Sequence, residues 1–451
     1  MNSSFENTAI AGTQSVLKEV YDVAVFGLGF VGLPLALSFS LNGYSVIGVD
    51  ISEKLVEQID NGVTHHLESH KDNSIQKILQ EQIREKRFRA TTNADEALRN
   101  SSQIIITVGI PIIGNEPSLE PLEAVVRTVG QGLQKGDLVL LRSTVIPGTT
   151  GRIVLPILEE ESGLVAGKDF YLAYSSERIA EGSAFNEFEN MPTLVAGINK
   201  ESLKKAKKLL RLITKAELIE GTSIEAVETC KVFENIQRDV NIAMVQEFAR
   251  FTEASNLDIF EIVRLANTHK RVNLLSPGPG VGGYCIPNAI HYLEHKANDL
   301  KVNMPLLNIA RNVNNDIPKV IVRMLEREAC KLNKPLTGLR VAILGIAMKD
   351  YSNDDRSSPA VTIIEELISL GVEVKAYDKA VPTVYTFKVD SIEDCLTDAE
   401  AILILAKQKD VKYSELGFYK PLMGENPIII DTRDVIDLRY AKIQGFVVAR
   451  I

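Results

Sequence analysis

Short apolar runs alternate with helix-length amphipathic stretches through the first third of the chain. DVAVFG is followed by a helical pattern to residue 42, then YSVIGVD, a charged helical stretch over 74–86, QIIITVGI, a helical stretch over 122–133, and DLVLLRST. Strand and helix alternation of this kind predicts βαβ units on a parallel sheet. DFYLAYSSERI and PTLVAGI read as later strands of the same sheet, followed by the helical KESLKKAKKLLRLI and a short AELIE strand. From 223 to about 268 the pattern is helical almost without interruption, which predicts one long helix spanning between domains and offering a subunit interface. A Pro/Gly-rich loop, PGPGVGGYCIP, comes next, then a helical region broken at Pro318. A second βαβ series starts at LRVAILGIAM and continues through VEVKAYD, AEAILILA and NPIIID. The pattern predicts an α/β protein of two doubly wound, Rossmann-like domains joined by a central helical region. The expected units are an N-terminal extension (1–20), a nucleotide-binding domain (21–215), a central helical and dimerisation region carrying the cysteine loop (216–317), and a C-terminal domain (318–451).

Charge and composition narrow the function. The 451 residues carry 50 Lys+Arg and 59 Asp+Glu, a net charge of −9, which argues against nucleic-acid wrapping or membrane coating through bulk charge. Any anionic ligand must be gripped locally. There is no Trp, and no two of the four cysteines (Cys230, Cys285, Cys330, Cys395) stand in a C-x-x-C spacing, so no metal centre is expected. The first twenty residues lack the basic and apolar segments of a secretory signal, and free cysteines suit a reducing compartment, so a cytoplasmic location is expected. Residues 23–41, VAVFGLGFVGLPLALSFSL, are free of charge and near membrane-spanning length. A β-like opening and patterned glycines make them a buried strand and helix instead.

Those glycines are chemically specific. Gly27, Gly29 and Gly32 form G-x-G-x-x-G at the end of an apolar strand, and Asp50 closes the next strand. The first glycine makes a tight turn, the second lets the backbone approach a pyrophosphate, and the third lets the helix pack with its N-terminus aimed at phosphate. Asp50 is placed for the adenosine ribose hydroxyls, favouring NAD; Lys54, four residues on, is either a further cofactor contact that softens exclusion of a 2′-phosphate or a solvated helix lysine. Cys285 sits in a glycine- and proline-rich loop where a thiol near a nicotinamide can trap an aldehyde, lose a second hydride and hold a thioester until water releases an acid.

GLGFVGLPLA, Ser143-Thr144-Val145, SSERIAEG, ETCKVFENIQRDVNIAMVQEFA, LANTHKRVN, PGPGVGGYCIP and AILGIAMKDYSNDDRSSPA occur in the order seen in the UDP-glucose/GDP-mannose dehydrogenase family, which this chain resembles over nearly all its length after residue 20. H-K-R-V-N, P-G-P-G-V-G-G and R-D-V-N-I-A look most like the branch that oxidises UDP-N-acetylmannosamine; neighbouring branches take UDP-N-acetylglucosamine, UDP-N-acetylgalactosamine or UDP-glucose. The resemblance implies a homo-oligomeric, NAD-dependent oxidation of a nucleotide sugar's C6 alcohol to a carboxylate. It assigns Cys285 as nucleophile, Lys231 and Asn235 as the K-x-x-x-N pair at the reacting oxygen, Glu177 as base or water-orienting carboxylate, and Thr144 as the hydroxyl beside the nicotinamide. It also brings Arg271, Gly283 and Lys349 to the substrate, Arg271 often across a subunit boundary, and Arg356 to the cofactor.

Three positions depart from that pattern. The family usually carries an aspartate four residues after the cysteine, where this chain has Ala289. Val108-Gly109-Ile110-Pro111 stands in place of V-P-T-P, and Arg142 stands where an acidic residue is common. Two rescues of the missing carboxylate are open: Glu177 alone, or His291. If neither acts, the acyl-enzyme stalls and the chain is a nucleotide-sugar-binding homologue.

Overall fold

The computed structural model describes residues 20–451; the proposed N-terminal extension lies almost wholly outside the described residues. Two sheets organise them. The first has eight strands in the spatial order Leu218–Glu220, Thr193–Gly197, Tyr171–Ser175, Leu138–Leu141, Gln103–Ile106, Val23–Phe26, Val46–Val49 and Phe88–Thr91. The second has five, in the order Glu373–Tyr377, Arg340–Leu344, Ala401–Ile404, Ile428–Asp431 and Val447–Arg450, all parallel. Strands buried on both faces, such as Val23–Phe26 and Leu138–Leu141, explain the continuous apolar runs. The fold class is the expected one.

Four local expectations are corrected. Thr193–Gly197 pairs antiparallel with Tyr171–Ser175, so the last two strands run against the other six. The central helical run is two helices, Ile224–Ala254 and Ile259–Ala266. Asn256, at φ +54, reverses the chain between them, and the Asp258 carboxylate caps the second by accepting from the Phe260 and Glu261 amides. Pro318 breaks nothing: it lies inside one helix, Pro305–Lys331, so the expected boundary at 317/318 falls in mid-helix. The buried Asn314, Ile317 and Ile321 flank it, and Asn314 Nδ2 donates to Asp239 of the long helix at 2.8 Å. This packing outweighs the roughly 3 kcal/mol an interior proline costs. Finally, Cys285 is the first residue of a helix, Cys285–Leu300, rather than part of the loop.

The long helix is the spine. Its buried positions Val227, Lys231, Val232, Asn235, Ile236 and Asp239 recur at helical spacing and pack on the helices Cys285–Leu300 and Pro305–Lys331. Buried Glu228 fastens its start to the loop after Leu138–Leu141 by accepting from Gly148 N (2.6 Å), Thr150 N (2.9 Å) and Thr150 Oγ1 (2.5 Å). Burial raises the pKa of that carboxyl. Among the described residues no helix is long and apolar enough to cross a membrane, and residues 23–41 form the expected strand, turn and helix.

Candidate active site

The nucleotide turn follows Val23–Phe26, where the strand order of the first sheet reverses. The three glycines differ in what demands them. Gly27 has φ +93. A Cβ on Gly32 would lie 1.7 Å from the Gly27 carbonyl oxygen, so the fold itself requires glycine there. A Cβ on Gly29 would meet nothing within 4 Å, so the protein leaves that approach open. Asp50 Oδ2 accepts from Leu28 N at 2.8 Å and Oδ1 from Ser52 N at 3.0 Å, which holds the carboxylate at the rim. These features fit a dinucleotide: an open backbone over the second glycine and a carboxylate fixed at the end of the next strand. Lys54 is exposed on the next helix and has no partner among the described residues.

Phe30 of the turn carries Arg356 on its ring, with the guanidinium carbon 4.4 Å from the centroid. Arg356 comes from the second sheet's side of the molecule; Asp354 holds it through Nε (2.9 Å) and Nη2 (2.7 Å), and its carbonyl accepts from Gly283 N at 3.0 Å. One arginine thus joins the cofactor turn to the cysteine loop. His65 and His66 stack on each other and edge onto the same Phe30 ring. Burial, then the charge of His65, lowers the His66 pKa to about 4.

Cys285 is exposed at its helix N-terminus and lies within electrostatic range of Arg356, Tyr284 and Tyr292. Asn235 Nδ2 approaches the Cys285 carbonyl at 3.5 Å. Lys231, one turn earlier on the long helix, is buried and has no carboxylate partner among the described residues. Lys231 and Asn235 both line a cleft of about 1110 Å³ along that helix. The Lys231 side chain is packed along the helix while its ammonium, without a carboxylate partner, opens on the cleft, where an oxyanion could meet it. Gly283, at φ +81, faces the Met348 side chain. Lys349 Nζ donates to the Glu181 carbonyl at 3.2 Å, so it reaches the first domain. Thr144 is half-buried just beyond Leu138–Leu141. Arg271 is exposed on the turn after Ile259–Ala266, its guanidinium unpartnered among the described residues.

The departures have structural consequences. Ala289 is wholly buried in an apolar cluster that includes Ile110, Ile236, Tyr292 and Leu293, so a carboxylate there would be desolvated among apolar side chains. The carbonyl of Ile110, in the altered loop, accepts from the phenols of both Tyr284 and Tyr292, the latter at 2.6 Å. Burial raises both phenol pKa values, so they remain donors and lock that loop to the Cys285 helix. Arg142 is the buried partner of Glu177, donating to Oε2 from Nε (3.1 Å) and Nη2 (2.6 Å). Oε1 accepts from the Arg178 and Ile179 amides at 2.7 and 3.0 Å. Both Glu177 oxygens are therefore committed. His291 turns toward Glu294, 3.7 Å away.

Two groups escaped the sequence reading. Glu181, the second glutamate of SSERIAEG, has a buried Oε1 with no partner, while Ser352 Oγ donates to Oε2 at 3.3 Å. Burial raises its pKa, opposed by Lys349. Arg433 is held by Asp350 at 2.7 Å with a guanidinium nitrogen 2.7 Å from where a Gly278 Cβ would stand, on the cysteine loop. The signal for Glu181 was its glycine-flanked position; for Arg433, its place just past a strand end.

Family models match in chain order: the NAD binding domain of the UDP-glucose/GDP-mannose dehydrogenase family over residues 21–216, its central domain over 225–316 and its UDP binding domain over 342–438. The chain belongs to this family. It is an NAD-dependent UDP-sugar dehydrogenase by that membership. A curated relative, UDP-N-acetyl-D-mannosamine dehydrogenase of Pyrococcus horikoshii, is 34% identical over 417 residues, covering 92% of this chain and 96% of its own. UDP-N-acetyl-D-glucosamine 6-dehydrogenase of Salmonella typhi is 32% identical, covering 79% and 81%. The solved structure of the Pyrococcus horikoshii UDP-D-ManNAc dehydrogenase superposes with a TM-score of 0.87 at 33% identity, covering 95% of this chain and 99% of that one.

Proposed function

We propose that this dehydrogenase converts the C6 hydroxymethyl of UDP-N-acetylmannosamine to a carboxylate in two oxidations, with Cys285 as the covalent carrier. The observation that carries the reading is the convergence of an exposed Cys285 at a helix N-terminus with Asn235 on its carbonyl and a buried, unpaired Lys231 one turn away. The mannosamine assignment is supported by similarity to the Pyrococcus enzyme.

The Gly27–Gly32 turn and Asp50 would hold NAD, two molecules of which in succession would accept one hydride each. Lys231 and Asn235 stabilise the oxygen on C6 as it gains negative charge. The Cys285 sulfur adds to the aldehyde carbon as the thiol proton passes to the aldehyde oxygen, and loss of the second hydride from that carbon together with the proton from its oxygen leaves a thioester. Water then adds to the thioester carbon and the C–S bond breaks, returning the thiol and releasing the acid. With Glu177 fully committed and Ala289 apolar, the proposed acceptor of the water's proton is Glu181, which shares Arg356 with Cys285 as an electrostatic neighbour. Lys349 and Arg433 grip the diphosphate side, a local cationic site on an acidic chain. Thr144 positions the nicotinamide end and Arg356 the cofactor turn.

The buried Ala289 and the committed Glu177 favour a second reading, in which hydrolysis is slow and acyl-enzyme accumulates. The protein would then serve to bind nucleotide sugar. Measuring NADH formation with UDP-ManNAc, UDP-GlcNAc, UDP-GalNAc and UDP-glucose separates these: turnover fastest on UDP-ManNAc supports the main reading, and a single stoichiometric burst supports the second.

The protein is proposed to act as a homodimer or higher homo-oligomer. Phe233, Met244, Phe248 and Phe251 are exposed on one face of the long helix, an apolar stripe that a second copy would cover. Arg271 would then serve its neighbour's site.

A further inference from the structure

We propose that the second sheet has a ligand site of its own, for a phosphate-bearing mononucleotide, at the carboxyl ends of Glu373–Tyr377, Arg340–Leu344 and Ala401–Ile404. The two sheets repeat the same turn. Gly345 follows its strand at φ +98 as Gly27 does at φ +93. Asp378 closes the next strand and accepts from Ile346 N (2.8 Å), Ala347 N (3.1 Å) and Ala380 N (3.1 Å), as Asp50 accepts from Leu28 and Ser52. In both sheets the strand order reverses beside this turn, the place where open parallel sheets bind ligands.

The second turn cannot hold a pyrophosphate as the first does. Its helix, Pro359–Ser369, starts well after Gly345, whereas Gly32–Leu41 starts directly after the first turn. The intervening loop reaches the first domain through Lys349, Ser352 and Asn353. In place of a helix N-terminus the crevice offers lysines. A cavity of about 190 Å³ is lined by Lys379, Lys407 and Lys409, none with a carboxylate partner among the described residues. The carboxylates at its rim are engaged: Asp378 by the three amides, and Asp410 by the Tyr377 phenol at 2.5 Å. A local excess of uncommitted cations in a chain of net charge −9 selects an anion.

Gln408 adds a second, independent feature. It is 7% exposed and lines the cavity; its Nε2 donates to Tyr377 O at 3.0 Å while its buried Oε1 has no partner. A buried acceptor without a donor is uncommon and costly, and a ribose hydroxyl or exocyclic amine would satisfy it. Leu67 and the largely exposed Tyr351 ring wall the cavity and give a base an apolar surface to lie on. Neither Lys349 nor Arg433 lines this crevice, which adjoins their grip through Asp350, whose Oδ1 accepts from Lys407 N at 2.8 Å and Arg433 Nε at 2.7 Å.

Calorimetric titration of AMP into the full-length enzyme, already saturated with NAD and UDP, tests the site. One further AMP is expected to bind per chain, about tenfold more weakly in Lys379→Ala/Lys409→Ala, a change at two exposed side chains, with NAD and UDP titrations unchanged. Absence of AMP binding, or equal binding by the double variant, overturns the proposal. Inorganic phosphate binding as tightly as AMP overturns the nucleotide assignment.

Discussion

Arg142 and Glu177 form a buried ion pair in which both guanidinium contacts fall on Glu177 Oε2, at 3.1 and 2.6 Å. Their side chains are 3% and 8% exposed. The pair ties the end of Leu138–Leu141 to the SSER segment that follows Tyr171–Ser175. It makes Glu177 an anchor for the site. Arg142→Met leaves a buried carboxylate with only amide donors, and a loss of about 3–5 kcal/mol in chemical denaturation is expected. Arg142→Met/Glu177→Met recovers most of that loss; recovery of nothing would show that the pair is not the coupled unit described.

The glycines of the nucleotide turn separate fold from function. Gly32→Ala forces a Cβ against the Gly27 carbonyl and is expected to lower the melting temperature by several degrees. Gly29→Ala meets open space, so stability stays within about 0.5 kcal/mol while NAD affinity falls at least about tenfold. Equal destabilisation by the two would contradict this division.

Lys231→Met removes an ammonium that has no carboxylate partner among the described residues and keeps the packed stem. Stability is expected to hold or rise, while kcat falls about 10²-fold or more. A merely structural lysine would give the opposite pair of results: a lower melting temperature and nearly intact kcat.

His66 gives a pH signature. Its folded pKa of about 4 lies below the ordinary 6.5, so between these values the unfolded chain binds more protons and stability falls as pH drops through that window. Two and a half units correspond to at most about 3.4 kcal/mol. His66→Phe should flatten the denaturation midpoint against pH from 6.5 to 4; an unchanged slope would assign it to other groups.

The sequence made the nucleotide turn legible because its constraints are local: backbone sterics at Gly27 and Gly32 and a carboxylate at the next strand's end. Cys285 stood out as a candidate from the glycine- and proline-rich loop before it, but its place at the start of a helix was not legible. Nor was chain direction at Thr193–Gly197, since an apolar run reads alike in either direction. Pro318 misled because the helix packing that tolerates it comes from distant residues on the long helix. The partner of Arg142 and the orphaned oxygen of Glu181 depend on segments folded together from far apart, which no local pattern encodes.

The central claim, a covalent two-step oxidation on Cys285, is tested most directly by counting NADH per uronic acid formed from UDP-ManNAc. Two NADH per acid for the wild-type protein, with no acid from Cys285→Ser, is the predicted result. Full acid formation by Cys285→Ser, or one NADH per product in the wild type, would contradict the account.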